Sequence, residues 1–413
     1  MAFTFVHAAD LHLDSPFRAV RADARLMALL QESTFRALAA VVDLALGQQA
    51  AFVVLAGDLF DAKDRSVRAR LALRRELARL DAAGIRTFIV HGNHDPLGGE
   101  ARIGLAPSVK VFGTEWEEVQ VALPSGEVCR VQGISYPQER VTENLSRRFS
   151  RQGPEFTVGV LHANVGGDSG HANYAPCSLT DLEERGLDYW ALGHVHTRAE
   201  YPLATGGVAV FPGNPQGRHA NETGERGCVL VRVDGGRCTR TFVAVDKVRW
   251  HRLAVDVSAA ADIGAVADAV ERAVDAACPD GFDAHAARVL LEGRGGPHAE
   301  LADPDALIQL QSELGERLAA RTPPVLLESL EDRTAPLMEL ARVRQDGGLA
   351  AEVLEVADAA LRVDAGRAAL WDGELDTLDV RLKRAGLVPT RERAGALIDR
   401  ASLRAVELLG EGG

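Results

Sequence analysis

Five short motifs in the first half of the chain carry residue types that bind divalent metal ions. Each motif follows a short apolar run and supplies carboxylate, amide or imidazole groups, which are ligands for transition metals. In chain order the motifs are Asp10-Leu-His12, Gly57-Asp58-Leu-Phe-Asp61, Gly92-Asn93-His94-Asp95, His162-Ala-Asn164 and Gly193-His194-Val-His196. One such motif alone is most often a turn or a cap, but five in succession predict a metal centre.

The spacing within two motifs predicts that pairs of residues share an ion. Successive side chains of a strand point to opposite faces, so residues i and i+2 point the same way. We therefore expect Asp10 and His12 to bind one ion, and the same spacing recurs at His194 and His196. Glycines precede the polar residues in three motifs, where they allow tight turns and leave room for the backbone to approach an ion.

The apolar runs before the motifs predict buried strands that direct the polar residues to one place. These runs are 3–6, 52–55, 87–90, 156–161 and 189–192. Between them lie helical patterns such as 66–80, where Ser66 could cap and Val67, Leu71, Leu77 and Leu80 share one face. Alternating strands and helices favour βαβ units. Ligands of such sheets collect beyond the carboxyl ends of the strands, where all five motifs fall.

The pattern changes twice further along the chain, which predicts three regions. Segments 228–233 and 241–245 resemble antiparallel strands that close a first domain, residues 1–246. Residues 247–335 alternate strand (252–257), helix (263–277), strand (288–292), helix (304–319) and strand (324–330), as in a small α+β unit. Residues 336–413 have helical spacing, with two apolar stripes: Trp371, Leu375, Leu378 and Leu382; Ala394, Leu397, Ile398 and Ala401.

Composition limits the classes of protein to consider. With 413 residues, 46% hydrophobic and 25% charged, the chain has the composition of a soluble globular protein. It has no apolar run of membrane-spanning length and no basic signal-peptide start, so we expect a cytoplasmic protein. Its five cysteines include no CxxC pair and suit reduced thiols. The net charge of −13 argues against a uniformly basic nucleic-acid-binding face.

Complete and in order, the five motifs resemble those of the calcineurin-like metallophosphoesterases. The resemblance implies an α/β fold, a four-layer α/β/β/α sandwich, here followed by a small α+β cap domain and a helical C-terminal segment. It also implies that Asp58 bridges two metal ions while His94 stays off the metals and faces the substrate as a catalytic residue. Asp61 and Asp95 would orient the ligands, although helix capping explains both equally well. The other implied ligands are Asp10, His12 and His196 for one metal and Asn93, His162 and His194 for the other.

Such a pair of ions has a known chemistry. Two ions about 3.5 to 4 Å apart can clamp a phosphate, generate a bridging hydroxide near neutral pH and stabilise the leaving oxygen. His94 could then stabilise the transition state or protonate the leaving group. We expect Mn²⁺, although Fe, Zn or Mg could occupy the same ligands.

Further segments resemble the bacterial DNA repair exonucleases of the SbcD and YhaO type: 7–17, 57–61, 162–178 and 211–219. This resemblance implies a DNA nuclease that acts with a coiled-coil ATPase of the SbcC type, as a homodimer, with the C-terminal helices as a region for binding the partner. Arg218, His219, His171 and Tyr174 are candidates for contacting the substrate. For His171 and Tyr174 loop packing is an equally good explanation, and for Arg218 and His219 a simple turn at 212–215 is.

Two other functions remain open at this point. The same chemistry could serve a small phosphodiester, a nucleotide or a phosphoprotein. Alternatively, the chain could be a catalytically inactive scaffold that retains the metal pocket and binds DNA or a partner.

Overall fold

The computed structural model describes residues 2–17, 23–61, 66–97, 104–123, 125–166, 174–336 and 340–362, together with 398, 401–403, 405, 406 and 409. The chain divides into two compact units, Met1–Ala335 and Pro336–Gly413. Along the described residues the strands are β1 (Ala2–Ala8), β2 (Phe52–Ala56), β3 (Arg86–Val90), β4 (Val109–Val111), β5 (Glu117–Ala122), β6 (Val128–Ile134), β7 (Thr157–His162), β8 (Tyr189–Gly193), β9 (Ala199–Pro202), β10 (Val208–Phe211), β11 (Gly227–Asp234), β12 (Arg237–Ala244), β13 (Val248–Asp256), β14 (Ala284–Arg294) and β15 (Val325–Ala335). The helices are α1 (Ala24–Gly47), α2 (Val67–Ala82), α3 (Leu179–Glu183), α4 (Ile263–Ala277), α5 (His298–Leu301), α6 (Pro304–Ala319), α7 (Leu340–Asp346) and α8 (Gly348–Arg362), with a 3₁₀ helix at Leu145–Arg148.

Two six-stranded sheets carry the five motifs. The first has the order β12-β11-β1-β2-β3-β4, and the second has the order β5-β6-β7-β8-β10-β9. Strands β1 to β4 are parallel to one another, as are β6, β7, β8 and β10. The antiparallel pair β11 and β12 lies beside β1, which confirms the expected closing strands. The carboxyl ends of the parallel strands therefore point to shared edges, as the motif positions require.

Three apolar clusters separate the layers of this sandwich. Aromatic residues fill the space between the sheets, where the Phe5 ring lies 4.8 Å from Phe52 and 5.2 Å from Tyr189. Helices α1 and α2 cover the outer face of the first sheet. Leu145 of the 3₁₀ helix and Leu182 of α3 pack on the outer face of the second sheet. The expected α/β/β/α class is confirmed, with a thin outer layer on the second sheet.

Helix α2 begins as expected but presents a different face to the core. The Ser66 side chain caps it by accepting a hydrogen bond from the backbone N–H of Ala69 at 2.9 Å. Its buried apolar residues are Ala69, Leu73, Leu77 and Leu80. The predicted stripe was wrong in its first half, because Val67 is 62% exposed and Leu71 is 49% exposed. Instead, the helix packs against the core through a row of residues at i, i+4 spacing, Ala69, Leu73 and Leu77, which begins at its third residue.

The third sheet is a parallel one with the order β13-β14-β15. Helices α4 and α6 coincide with the predicted 263–277 and 304–319, while all three strands are longer than the patterns indicated. Val270 of α4 and Leu314 of α6 pack with Val289 of β14 in one apolar cluster. Trp250 and Leu326 belong to a different cluster, which includes Leu30 of α1. The third sheet is therefore packed against the two-sheet sandwich. The domain boundary at residue 246 stays a prediction.

The second compact unit is helical where it is described. Helices α7 and α8 are linked by an ion pair of 2.9 Å between Arg344 and Asp358. Of the two predicted apolar stripes, Trp371, Leu375, Leu378, Leu382, Ala394 and Leu397 lie outside the described residues. No helix in the described ranges has the length and apolar character needed to cross a membrane.

We expect Leu314→Ala to destabilise the third sheet and Ile308→Ala to leave it nearly unchanged. Both residues lie on α6, but Leu314 is fully buried whereas Ile308 is 64% exposed. Removing a buried leucine side chain costs about 2 to 5 kcal/mol, while an exposed substitution changes stability by about 0.5 kcal/mol or less. Urea unfolding followed by circular dichroism measures both. Equal losses in the two variants would show that α6 does not pack through Leu314.

Candidate metal centre

The five motifs meet at the carboxyl ends of five strands from the two sandwich sheets. Asp10 and His12 follow β1, Asp58 follows β2 and Asn93 follows β3. His162 is the last residue of β7, and His194 directly follows β8. Backbone hydrogen bonds of 3.0 Å join the first two loops, from the N–H of Asp10 to the carbonyl of Gly57 and from the N–H of His12 to that of Asp58.

Loop conformation, and not strand alternation, brings the paired residues together. Asp10 (φ 54°), His12 (φ 41°), Asp58 (φ 50°) and His194 (φ 102°) all lie beyond their strands in the positive-φ region. The expectation that i and i+2 alternation would align Asp10 with His12 was therefore wrong in its reason. Non-glycine residues in sparsely populated backbone regions cost about 1 to 3 kcal/mol each and concentrate at functional sites. The surrounding fold must hold these conformations in place.

A first group of ligand atoms contains Asp10, His12 and His196. One ligand atom from each lies within 4.8 Å of the others, and the two Nε2 atoms of the histidines are 3.2 Å apart. Each histidine has its Nδ1 atom on a carboxylate: Asp61 Oδ1 at 2.8 Å for His12 and Glu222 Oε1 at 2.6 Å for His196. Such partners fix the ring orientation and leave Nε2 for an ion.

A second group surrounds Asp58. Ligand atoms of Asp10, Asp58 and His162 lie within 4.8 Å of one another, and His162 Nε2 is 3.0 Å from Asn93 Oδ1. The other ring nitrogen of His162 donates to the carbonyl of Ala56 at 3.0 Å. The ring centroid of His194 is 5.2 Å from that of His162.

Asp58 lies between the two groups. Its Oδ2 atom is 3.5 Å from His162 Nε2 and 3.7 Å from His12 Nε2. The side chains therefore form two adjoining His and Asp clusters that could bind divalent ions, with a carboxylate shared between them. The donor set, and the second nitrogen bound on three histidines, fit the two ions that the family resemblance implies.

Buried charges dominate the electrostatics of the centre. Burial raises the pKa of Asp10 to about 6 and lowers the pKa of His12 to about 3. Burial alone would also raise the pKa of Asp58, but His162 and His12 outweigh it and lower that pKa. Asp58 and Asp10 in turn raise the pKa of His162 to about 9 against its burial. A bound cation would replace the proton of His162, so metal binding should release protons.

Two of the glycines are explained by close approach. A Cβ atom on Gly92 would overlap the Asp58 carboxylate and the His162 ring, and one on Gly193 would overlap the carbonyl of Ala56. Glycine is therefore needed there for space, as the sequence predicted.

Asp61 contacts four side chains at the edge of the centre. Besides His12, it bonds His94 Nδ1 at 3.0 Å and Ser15 Oγ at 2.6 Å, and it lies 3.5 Å from Arg218. The His94 side chain is 47% exposed, and its hydrogen bond to Asp61 raises its pKa. The predicted role of Asp61 in orienting ligands agrees with these contacts, and His94 reaches the open side of the site.

Asp95 acts on the backbone of two loops. Its carboxylate accepts hydrogen bonds from the N–H groups of Gly92 at 2.8 Å and Leu59 at 2.9 Å, and it contacts His91 Nδ1 at 3.1 Å. It therefore ties the Asp58 loop to the Asn93 loop. Within the described residues, neither Asp61 nor Asp95 caps a helix.

The candidate substrate residues fall in different surroundings. Arg218 donates to Ser15 Oγ at 3.1 Å and faces Asp61. His219 is 55% exposed and lies 3.4 Å from Glu222. The Tyr174 ring is 5.8 Å from the His194 ring. His171 lies outside the described residues.

Glu222 is a functional candidate that the motifs did not indicate. Besides holding His196, it accepts from the backbone N–H of Arg218 at 2.7 Å and from Asn214 Nδ2 at 3.0 Å. A metal-binding histidine usually gives its other nitrogen to a carboxylate or carbonyl. That rule predicts an acidic partner for His196, but the sequence alone could not separate Glu222 from Glu225.

Acidic neighbours neutralise a dense basic stretch beside the core, which contains Arg147, Arg148 and Arg151. Arg147 pairs with Asp181 at 3.0 Å and Arg151 pairs with Asp188 at 2.9 Å. Arg148 lies 2.9 Å from Glu143 and 3.0 Å from Glu115. These arginines therefore do not form an open basic surface.

Comparison with known families agrees with the fold. The calcineurin-like phosphoesterase family matches residues 3–198, and the middle domain of the metallophosphoesterase YhaO matches residues 250–335. Residues 3–198 therefore form a calcineurin-like metallophosphoesterase domain, of a family that uses divalent metals.

Among individual proteins, the chain is similar to the uncharacterized metallophosphoesterase YhaO of Bacillus subtilis strain 168. They are 38% identical over 276 residues, 65% of this chain and 66% of that protein. The DNA double-strand break repair protein Mre11 of Sulfurisphaera tokodaii is 26% identical over 214 residues, 51% of this chain and 53% of the relative. Its namesake in Sulfolobus acidocaldarius is 23% identical over 256 residues, 58% of this chain and 63% of the relative. The chain thus matches between about half and two thirds of these relatives' lengths.

We expect Glu222→Gln to weaken metal binding at the centre by about 10- to 100-fold, because a histidine ligand loses the carboxylate that orients it. Glu225→Gln is the matched control, since Glu225 is 63% exposed and is 3.8 Å from its nearest cation, Arg249. Calorimetric titration of the chelator-stripped proteins with Mn²⁺ measures the affinities. An unchanged affinity in Glu222→Gln would mean that His196 is not a ligand or does not need this partner.

Proposed function

We propose that this protein is a two-metal DNA nuclease that hydrolyses phosphodiester bonds in DNA repair. The observation that carries the proposal is the open rim of the centre, where His94 and Arg218 both lie against Asp61 beside the two ligand groups. The printed names of the Mre11 relatives, DNA double-strand break repair proteins, support DNA as the substrate.

In this proposal the protein binds two Mn²⁺ ions through the clusters described above. Asp58 would bridge the ions, which are held by Asp10, His12 and His196 on one side and by Asn93, His162 and His194 on the other. When bound, two such ions supply a nucleophile at neutral pH and neutralise charge on the phosphate.

The side chains at the rim perform the remaining steps. His94 is oriented by Asp61 through Nδ1, so Nε2 is the nitrogen that can donate a hydrogen bond to a phosphate oxygen or a proton to the leaving oxygen. Arg218 is held by Ser15 and by the Glu222 loop, where its positive charge can attract a phosphate. His219, His171 and Tyr174 are proposed to contact flanking parts of the substrate.

The charge of the chain bears on how DNA would reach this rim. With a net charge of −13 and its densest arginine stretch paired, the protein offers little general attraction for a polyanion. We therefore propose that it works in the cytoplasm as a homodimer with a coiled-coil ATPase of the SbcC type. The three regions would divide the work: 1–246 for catalysis, 247–335 as the cap and 336–413 for binding the partner.

The acidic net charge and the paired arginines also favour a second candidate, a phosphodiesterase for small esters, which needs no extended basic surface. The salt dependence of substrate binding distinguishes the two candidates. Binding of DNA weakens steeply with salt because condensed counterions are released, whereas binding of a small ester does not.

We expect His94→Ala to reduce the rate of manganese-dependent cleavage of linear DNA by about 10²- to 10⁴-fold, the usual contribution of a general acid. Metal content should stay at the wild-type level, because His94 is not among the proposed ligands. His298→Ala is a control on a surface helix of the third sheet, where His298 bonds Thr334.

The assay uses single- and double-stranded linear DNA and a small chromogenic phosphodiester in parallel. Cleavage of the small ester alone would favour the second candidate. Full metal binding without hydrolysis of any substrate would favour the scaffold. Undiminished cleavage by His94→Ala would refute the role of His94.

A further inference from the structure

A second cluster of metal-binding side chains lies in the third sheet. It contains His251 on β13, His285 on β14 and Cys278, which follows the last residue of α4. One ligand atom from each of the three lies within 4.8 Å of the others. None of these residues belongs to the five motifs or to the centre described above.

The two histidines face each other with a defined tautomer on one ring. His285 Nε2 is 2.9 Å from the carbonyl of Pro279, and a carbonyl can only accept, so that nitrogen carries the proton. The lone pair of His285 therefore lies on Nδ1, which is 3.0 Å from His251 Nε2. A histidine that donates one N–H to a backbone carbonyl and turns its other nitrogen towards a neighbouring ligand is the usual arrangement at a metal site.

The charges around the cluster suit a cation. Burial lowers the pKa of His251 to about 4 and also lowers the pKa of His285, so both rings are neutral near pH 7. Arg249 is the nearby cation that acts on both rings, but Asp246 pairs with it at 2.9 Å. The carboxylates of Asp246 and Asp280 also act on His285.

We propose that His251, Cys278 and His285 form a third metal site, separate from the phosphoesterase centre, that takes a zinc ion. Two imidazoles and a thiolate are a zinc donor set, whereas the carboxylates, amide and imidazoles of the phosphoesterase centre include no sulfur. Sulfur ligands select softer ions than oxygen ligands do. The chain would then hold two kinds of metal in chemically different sites.

Cys278 lines a pocket of about 590 Å³ together with Asp280 and Arg321. The ion would replace the proton of the Cys278 thiol, whose pKa burial raises to about 11 in the metal-free protein. Because the ligands come from two neighbouring strands and the end of α4, the ion would cross-link the third sheet and stabilise it.

The test uses the full chain, stripped with a chelator and titrated with Co²⁺ as a spectroscopic substitute for Zn²⁺. Cobalt bound to a thiolate gives an intense charge-transfer band in the near ultraviolet, which the sulfur-free phosphoesterase centre cannot produce. We expect this band to reach the intensity of one thiolate-bound cobalt per chain by three equivalents, because the phosphoesterase centre takes up the other two, and to disappear on addition of Zn²⁺. It should be absent from Cys278→Ser and retained in Cys238→Ser, the matched control for the other partly exposed cysteine.

A second measurement covers the case in which the serine variant is unstable. His251→Gln keeps the thiol but removes one imidazole, so the cobalt band should weaken and Zn²⁺ should be bound at least about tenfold less tightly. In the wild-type protein, Zn²⁺ should raise the midpoint of thermal unfolding more than it does in either variant.

A band that persists in Cys278→Ser, or no band in the folded wild-type protein, would overturn the proposal and leave an ordinary hydrogen bond between two histidines. Because the band depends only on sulfur, its presence or absence is independent of whether the chain is a nuclease. Hydrolysis by Cys278→Ser should match the wild-type rate when the phosphoesterase centre is loaded with Mn²⁺.

Discussion

The burial of the Asp58 carboxylate is the constraint on which the rest of the site depends. Asp58 is only 1% exposed, and burying an unpaired charge at that depth carries a large free-energy cost. The Asp58 carboxylate accepts a hydrogen bond from the backbone N–H of His94 at 2.9 Å, and it lies close to the rings of His162 and His12. Imidazoles alone offset the charge only when protonated, and then they cannot bind metal. Divalent ions satisfy both needs, so this arrangement of charges favours metal binding.

The support for this centre extends well beyond the five motifs. His196 is held by Glu222, and the loop that carries Glu222 is tied to β13 of the third sheet. Gln216 donates to the carbonyl of Val248 at 2.6 Å, and the Trp250 side chain donates to the carbonyl of Gly217 at 2.9 Å. The third sheet is therefore more than an appended unit, because its first strand fixes the loop that orients one ligand. A change in β13 can reach the metal centre through two hydrogen bonds and one carboxylate.

Prediction from the sequence succeeded where the signal was local. The five motifs follow buried apolar runs, and α4 and α6 have clean amphipathic patterns, so their positions could be read residue by residue. The prediction failed where long-range packing determines which residues are buried. The buried face of α2 depends on how α1 lies beside it, and the sequence showed Val67 and Leu71 as apolar without showing that they stay exposed. Nor did it indicate the positive φ angles of Asp10 and His12, since Asp and His adopt both conformations. The sequence did not indicate Glu222, because its role depends on a contact with His196, 26 residues away in the chain.

The distribution of charge explains why the substrate must be recognised locally. The arginines at 147, 148 and 151 are committed to acidic partners, while Arg218 is part-buried beside Asp61 and Glu222. In the metal-free centre, those carboxylates and Asp58 would repel a phosphate. Two divalent ions would add four positive charges at that place and reverse the sign of the local field. Metal binding would thus serve affinity as well as chemistry, and an acidic protein could bind a polyanion at its active site without a basic surface around it. If the substrate is DNA, as proposed, a partner with its own basic groups would then be needed only for the DNA that extends beyond the rim.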